Sequence, residues 1–184
     1  MRKVIHAFGA AALLCGCASS PSPPPVAVDT KLIVILAPQG VSAAKDTVGF
    51  NTLVKNVTQA FSSALSEQLT DRGYRSVNVL DQQPGLDAGQ KMAVYAVRHA
   101  AEKVVLVTVE TNSVDNDAQI QLRAQFIEGE LTPSLYAPTG LHVRSTVEKS
   151  YVLRGSQSGD TTLSMPDLAK GFLGFLEASG RLEK

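Results

Sequence analysis

Two arrangements of apolar residues take turns along this chain, and each predicts a different element. Leu32 to Ala37 is a continuous aliphatic run ended by Pro38. A strand covered on both faces reads this way, so the run predicts a central strand. After a small, polar loop from Gln39 to Thr47, Phe50, Leu53, Val54, Val57, Ala60, Phe61, Ala64, Leu65 and Leu69 recur at three- and four-residue steps. Lys55, Gln59, Ser62, Glu67 and Asp71 fall on the opposite side, which predicts an amphipathic helix. Asn51 is placed to cap its start, and Gly73 to take the left-handed conformation that stops it.

Tyr74 to Leu80 then alternates, with Val77 and Val79 inward and Arg75 and Asn78 toward water or an edge. Pro84 and Gly85 turn the chain into a second helix, Ala88 to Ala101, whose apolar face is Met92, Tyr95, Ala96 and His99. Val104 to Val109 is another double-sided strand, and Ser113 to Asp117 is a turn cluster. Ile120, Leu122, Ala124 and Phe126 alternate with Gln119, Gln121, Arg123 and Gln125, a strand with one wet face. A long strand follows, its inner row Leu141, Val143, Ser145, Val147, Lys149, Tyr151 and Leu153, which Lys149 interrupts.

The last helix begins near Ser164, where Ser164 and Asp167 have capping-box spacing. Leu168, Phe172, Leu173, Leu176 and Ser179 form its inner stripe, and Gly171 and Gly174 invite a close approach to the sheet. The fold class predicted is α/β: a single domain in the order β-α-β-α-β-β-β-α, with helices packed on a mixed sheet. The first two helices cross over between parallel strands, and the later strands join antiparallel.

The amino terminus carries a different pattern. Arg2 and Lys3 precede an apolar stretch from Val4 to Leu14, broken by His6, and small residues follow. That is the layout of a secretory signal, and the stretch is too short for a helix that spans a bilayer. Leu14-Cys15-Gly16-Cys17 resembles the lipobox of bacterial lipoproteins. The resemblance implies a signal over residues 1–16, cleavage before Cys17, and diacylglycerol and further acyl chains such as palmitate on Cys17. Cys15 is preceded by Leu14 rather than a small residue, and fits less well. Neither Ala18 nor Ser19 is the aspartate of an inner-membrane retention signal. The resemblance therefore implies an outer membrane location facing the periplasm in a host with two membranes. Residues 17–30 contain Pro21, Pro23, Pro24 and Pro25 and read as a tether, leaving 31–184 as the folded domain.

Composition narrows the chemistry. The chain has 17 basic and 17 acidic residues, so loss of Arg2 and Lys3 with the signal leaves a net charge of −2. No basic cluster offers nucleic acid a counterion-release driving force. With Cys15 removed and Cys17 acylated, no disulfide is available. His99 and His142 are the only histidines after the signal, too few for a three-histidine zinc site. His99 sits where a helix carboxy terminus favours a cation. Asp115-Asn116-Asp117 lacks the glycine and distant glutamate of a calcium loop and reads as a hairpin turn. Gly155-Ser156-Gln157-Ser158-Gly159 has Gln157 where a nucleophile elbow has serine. Gly40 and Lys45 lack the remainder of a phosphate loop, and Glu128 and Glu130 read as solvated charges. No catalytic residue, metal or cofactor is expected.

Beyond the lipobox, Leu32 to Pro38, Leu65-Ser66-Glu67-Gln68-Leu69 followed by Gly73-Tyr74, and Ala101-Glu102-Lys103-Val104-Val105-Leu106-Val107 carry a second resemblance. With the element order, these segments look like a loose group of envelope lipoproteins similar to the amino-terminal domain of TolB, to CsgG and to LpoB. The chain departs from CsgG, the curli secretion lipoprotein, in having no pore-forming hydrophobic hairpin. The resemblance implies a non-enzymatic accessory, scaffold or activator of an envelope assembly, secretion or cell-wall machine. Its partners would be the bilayer through acylated Cys17, envelope proteins and further copies of itself. The surfaces expected to meet protein are Gln121, Arg123 and Gln125 and the loop from Gln39 to Thr47. A lipoprotein that binds a small ligand or glycan, and an envelope hydrolase, are the alternatives that sequence leaves open.

Overall fold

A computed structural model describes residues 28–38, 48–81, 86–114, 117–132, 140–153 and 164–183, with the side chains of 48–51 and 111–119 outside that description. The elements are β1 (Leu32–Pro38), α1 (Val48–Asp71), β2 (Arg75–Asp81), α2 (Ala88–His99), β3 (Lys103–Val114), β4 (Asp117–Thr132), β5 (Gly140–Leu153) and α3 (Met165–Ala178). The five strands form one sheet in the order β2-β1-β3-β4-β5. β1 pairs in parallel with β2 and β3, while β3-β4 and β4-β5 are antiparallel. The domain is thus α/β with a mixed sheet, in the order the hydrophobic pattern predicts.

Burial explains the pattern. Ile33 to Ala37 are completely buried, because alternate residues of β1 face two different cores. Ile33, Ile35 and Ala37 join Phe61, Leu65 and Leu69 of α1, Phe172, Leu173 and Leu176 of α3, and Leu122, Ala124 and Phe126 of β4. Val34 and Leu36 join Met92 and Ala96 of α2, with Val104, Ile127 and Leu131. The α1/α3 core is the larger, and Phe61 lies at tilted aromatic contact with both Tyr151 and Phe172.

Local signals set the ends of the helices, with several departures from the sequence pattern. α1 begins at Val48, so Asn51 lies inside the helix rather than capping it. Gly73, at φ +77°, takes the left-handed position predicted for it. α2 starts at a complete capping box: the Asp87 carboxylate accepts from the Gln90 backbone N–H, and the Gln90 side chain accepts from the Asp87 N–H. It stops at His99, two residues before Ala101, because Ala100 adopts the left-handed conformation at φ 51°. Ser164 caps α3, accepting from the Asp167 backbone N–H. Ser179 is an exposed cap at the other end of α3, where its hydroxyl donates to Leu176 O, and is not part of the inner stripe. Gly174 is exposed, with nothing within 4 Å of where a Cβ would stand, so it brings α3 no closer to the sheet.

The antiparallel half is longer than the pattern suggests. β3 and β4 pair from Lys103↔Glu128 to Val114↔Asp117, so Ser113, Val114 and Asp117 belong to the ladder and not to the turn. The register of β4 and β5 shifts at Glu128/Gly129, where Glu128 faces Ser145 but Gly129 faces Val143, leaving Arg144 as the extra residue. A one-residue shift exchanges the faces of a strand. Leu141 therefore packs in the α2 core and Val143 is exposed, whereas Val147, Tyr151 and Leu153 pack in the α1/α3 core. The single inner row predicted for β5 is in fact two rows on opposite faces.

Candidate functional site

Gln121, Arg123 and Gln125 lie on the face of β4 opposite Leu122, Ala124 and Phe126, and each is half-buried rather than fully wet. The ladder sets their neighbours. Gln121 lies between Glu110 of β3 and Val152 of β5; Arg123 lies between Thr108 and Ser150; Gln125 lies between Leu106 and Glu148. Arg123 reaches diagonally in both directions. Its Nη2 stands 3.4 Å from Glu110 Oε2, and its Nε stands 3.1 Å from Glu148 Oε1. The second contact has the distance of an ion pair without the alignment of a hydrogen bond.

All three side chains remain between 37% and 45% exposed, so solvent screens the pairs and they add little to stability. Their chief effect is to hold a planar guanidinium in place on a flat polar sheet face. Two carboxylates to one guanidinium leave this patch with one excess negative charge. Sequence patterning identified the β4 residues from their alternation. It did not identify Glu110 and Glu148, which come from neighbouring strands and join Arg123 only through strand register.

The remaining candidates resolve into structural contacts. Glu128 meets Arg181 Nη1 at 3.5 Å, and Glu130 pairs with Arg144. The Arg144 hydrogen bond and charge, assisted by His142, hold the Glu130 carboxyl below the usual glutamate range. Each carboxylate therefore has its own cation. Lys149 does point inward, where its Nζ donates to Gly171 O at 2.9 Å, beside the rings of Tyr151 and Phe175. His99 is half-buried in the last turn of α2, and His142 is exposed on β5. Among the described residues no group of three His, Cys, Asp or Glu side chains could hold a metal ion. No helix among them is long and apolar enough to cross a membrane. Cys17, the loop from Gln39 to Thr47, Asp115-Asn116 and Gly155 to Gly159 lie outside the described residues.

One charged pair was missed altogether. Asp81 ends β2 and Lys91 sits in the first turns of α2; each is only 4% exposed, and they meet at 2.9 Å. Its sequence signal is faint, since lysine near a helix start and aspartate at a strand end both read as surface residues. No protein-family model and no curated protein sequence matches the chain.

Proposed function

We propose that this chain is a lipid-anchored accessory protein of the bacterial envelope, without enzymatic activity. It would be held on the periplasmic face of the outer membrane through acylated Cys17 and would recruit, scaffold or activate an assembly, secretion or cell-wall machine. The observation that carries the reading is Leu14-Cys15-Gly16-Cys17, placed directly after a short apolar signal. Two or three acyl chains on one cysteine make a stable anchor, because each buried methylene contributes about 0.8 kcal/mol. Tethering concentrates the domain near other envelope proteins, so a modest docking surface suffices. The polar face around Arg123 suits such docking, as its fixed guanidinium and flanking carboxylates offer directional contacts.

The test has two parts. Mass spectrometry of the amino-terminal peptide should find Cys17 as the first residue and acylated. Crosslinking in native membranes should recover a defined envelope complex that is lost when a Cys17→Ala version is exported as a soluble protein behind an ordinary cleavable signal. An unmodified Cys17 refutes the anchor. A well-expressed lipidated protein that yields no protein partner refutes the accessory role.

A further inference from the structure

Both ends of the described chain are fastened at one pole of the domain. At the amino-terminal side, Val28 packs against the α2 core. Asp29 pairs with Arg75 at the start of β2, and its side chain also accepts from the Lys31 N–H. Lys103, at the start of β3, donates from Nζ to Thr30 O at 3.0 Å. At the carboxy-terminal side, Glu183 donates its backbone N–H to the Tyr74 hydroxyl at 3.0 Å, immediately before Arg75. This pole is the amino-terminal edge of β1, β2 and β3. From it β3 runs through twelve residues to Val114, which at about 3.3 Å each places the β3-β4 turn roughly 36 Å away.

We infer that this pole is the surface the domain presents to the lipid bilayer, with the β3-β4 hairpin directed away from it. The inference rests on the reading of Cys17 as acylated. Ten residues separate Cys17 from Val28, and they span at most about 35 Å even when fully extended. A covalent leash of that length, leaving from a fixed point, holds the exit pole within about 35 Å of the headgroups, while the far end of the arm is free to lie up to about 36 Å beyond it. Charge is a minor contributor: Arg75 is paired with Asp29, Arg72 with Glu177 and Arg181 with Glu128, which leaves Lys31 and Lys103 as two lysines at the pole and short of the four or more of a polybasic patch.

The mature chain has no cysteine besides Cys17, so a single introduced thiol can be labelled cleanly. Glu183→Cys marks the near pole, while Leu86→Cys and Val152→Cys mark exposed positions toward the far end. Each full-length lipidated protein would be placed in phosphatidylcholine vesicles carrying a headgroup-linked energy-transfer acceptor. Transfer from the Glu183 position should exceed that from either of the others by roughly twofold or more, given strand spans of tens of ångströms. Equal transfer from all three, or stronger transfer from Val152, overturns the orientation. Absence of acyl chains on Cys17 in the same preparations overturns the anchor and the orientation together.

Discussion

Asp81 and Lys91 form a buried ion pair, Oδ2 to Nζ at 2.9 Å, that fixes the end of β2 to the beginning of α2. The parallel neighbour of Asp81 is Pro38, so the pair sits at the carboxy-terminal edge of β1 and β2. Two charges lose hydration there, and their mutual attraction roughly offsets that loss. The asymmetry comes when one partner is removed, because the other then loses its opposite charge at 2.9 Å while it stays buried.

Replacing only one partner should therefore be costly. Lys91→Met is expected to lower unfolding free energy by about 3–5 kcal/mol, and Asp81→Leu by a similar amount. The double variant should recover most of the loss, since an apolar pair of similar volume leaves no charge behind. Urea unfolding of the three variants measures this, and simple addition of the single losses would contradict it.

Gly129 is required by close approach. A Cβ there would lie 2.6 Å from the backbone oxygen of His142 and 2.9 Å from Leu141 Cγ and Cδ1. Gly129→Ala must push β5 away at the bulge, with an expected cost of about 1–3 kcal/mol. Thermal unfolding reads the loss, and hydrogen exchange should show it concentrated in residues 140–145.

Tyr151 gives the domain an alkaline limit. Burial pushes its hydroxyl up to about 12, from the ordinary tyrosine value of 10.0, and it donates to Leu168 O at 3.1 Å. A pKa raised by folding means that the stabilisation is complete below pH 10 and is lost as pH rises through 12. Tyr151→Phe should cost about 1 kcal/mol at neutral pH by deleting the hydrogen bond. It should also flatten the decline in stability across that alkaline window, as followed by denaturant titration at stepped pH.

Arg123→Ala separates surface from scaffold. Both its ion pairs are partly exposed, so the change in stability should stay within about 1 kcal/mol. Crosslinked envelope complexes should fall sharply in the same variant if the β3-β4-β5 face is the docking surface. Undiminished crosslinking would move docking to another part of the domain.

Periodicity made β1, α1 and the element order legible, because burial on one or both faces writes directly into every second or every third and fourth residue. Contacts set by register were not legible. The bulge that sends Leu141 and Val147 to opposite faces depends on how β4 meets β5, and Gly129 alone does not announce it. Lys149 looked like an error in an inner row until α3 supplied the Gly171 carbonyl. Glu110, Arg123 and Glu148 are far apart in sequence and meet on adjacent strands. Asp81 and Lys91 are ten positions apart, yet nothing in their sequence context separates a buried pair from two solvated charges.

The central position of β1 has a consequence for how the chain acquires its structure. Its partners are Arg75–Asp81 on one side and Lys103–Leu106 on the other, so no segment shorter than residues 32–106 can close both of its edges. The first of these five strands in chain order is therefore among the last to be satisfied, whereas β3, β4 and β5 follow one another and can form by hairpin steps. Long-range parallel pairing is slow because loop-closure entropy is lost before contacts reward it. Such delay would suit export of the proposed kind, in which the chain passes a translocation channel unfolded. It also makes the aliphatic segment Ile33–Ala37 the stretch most in need of shielding until residue 106 has emerged.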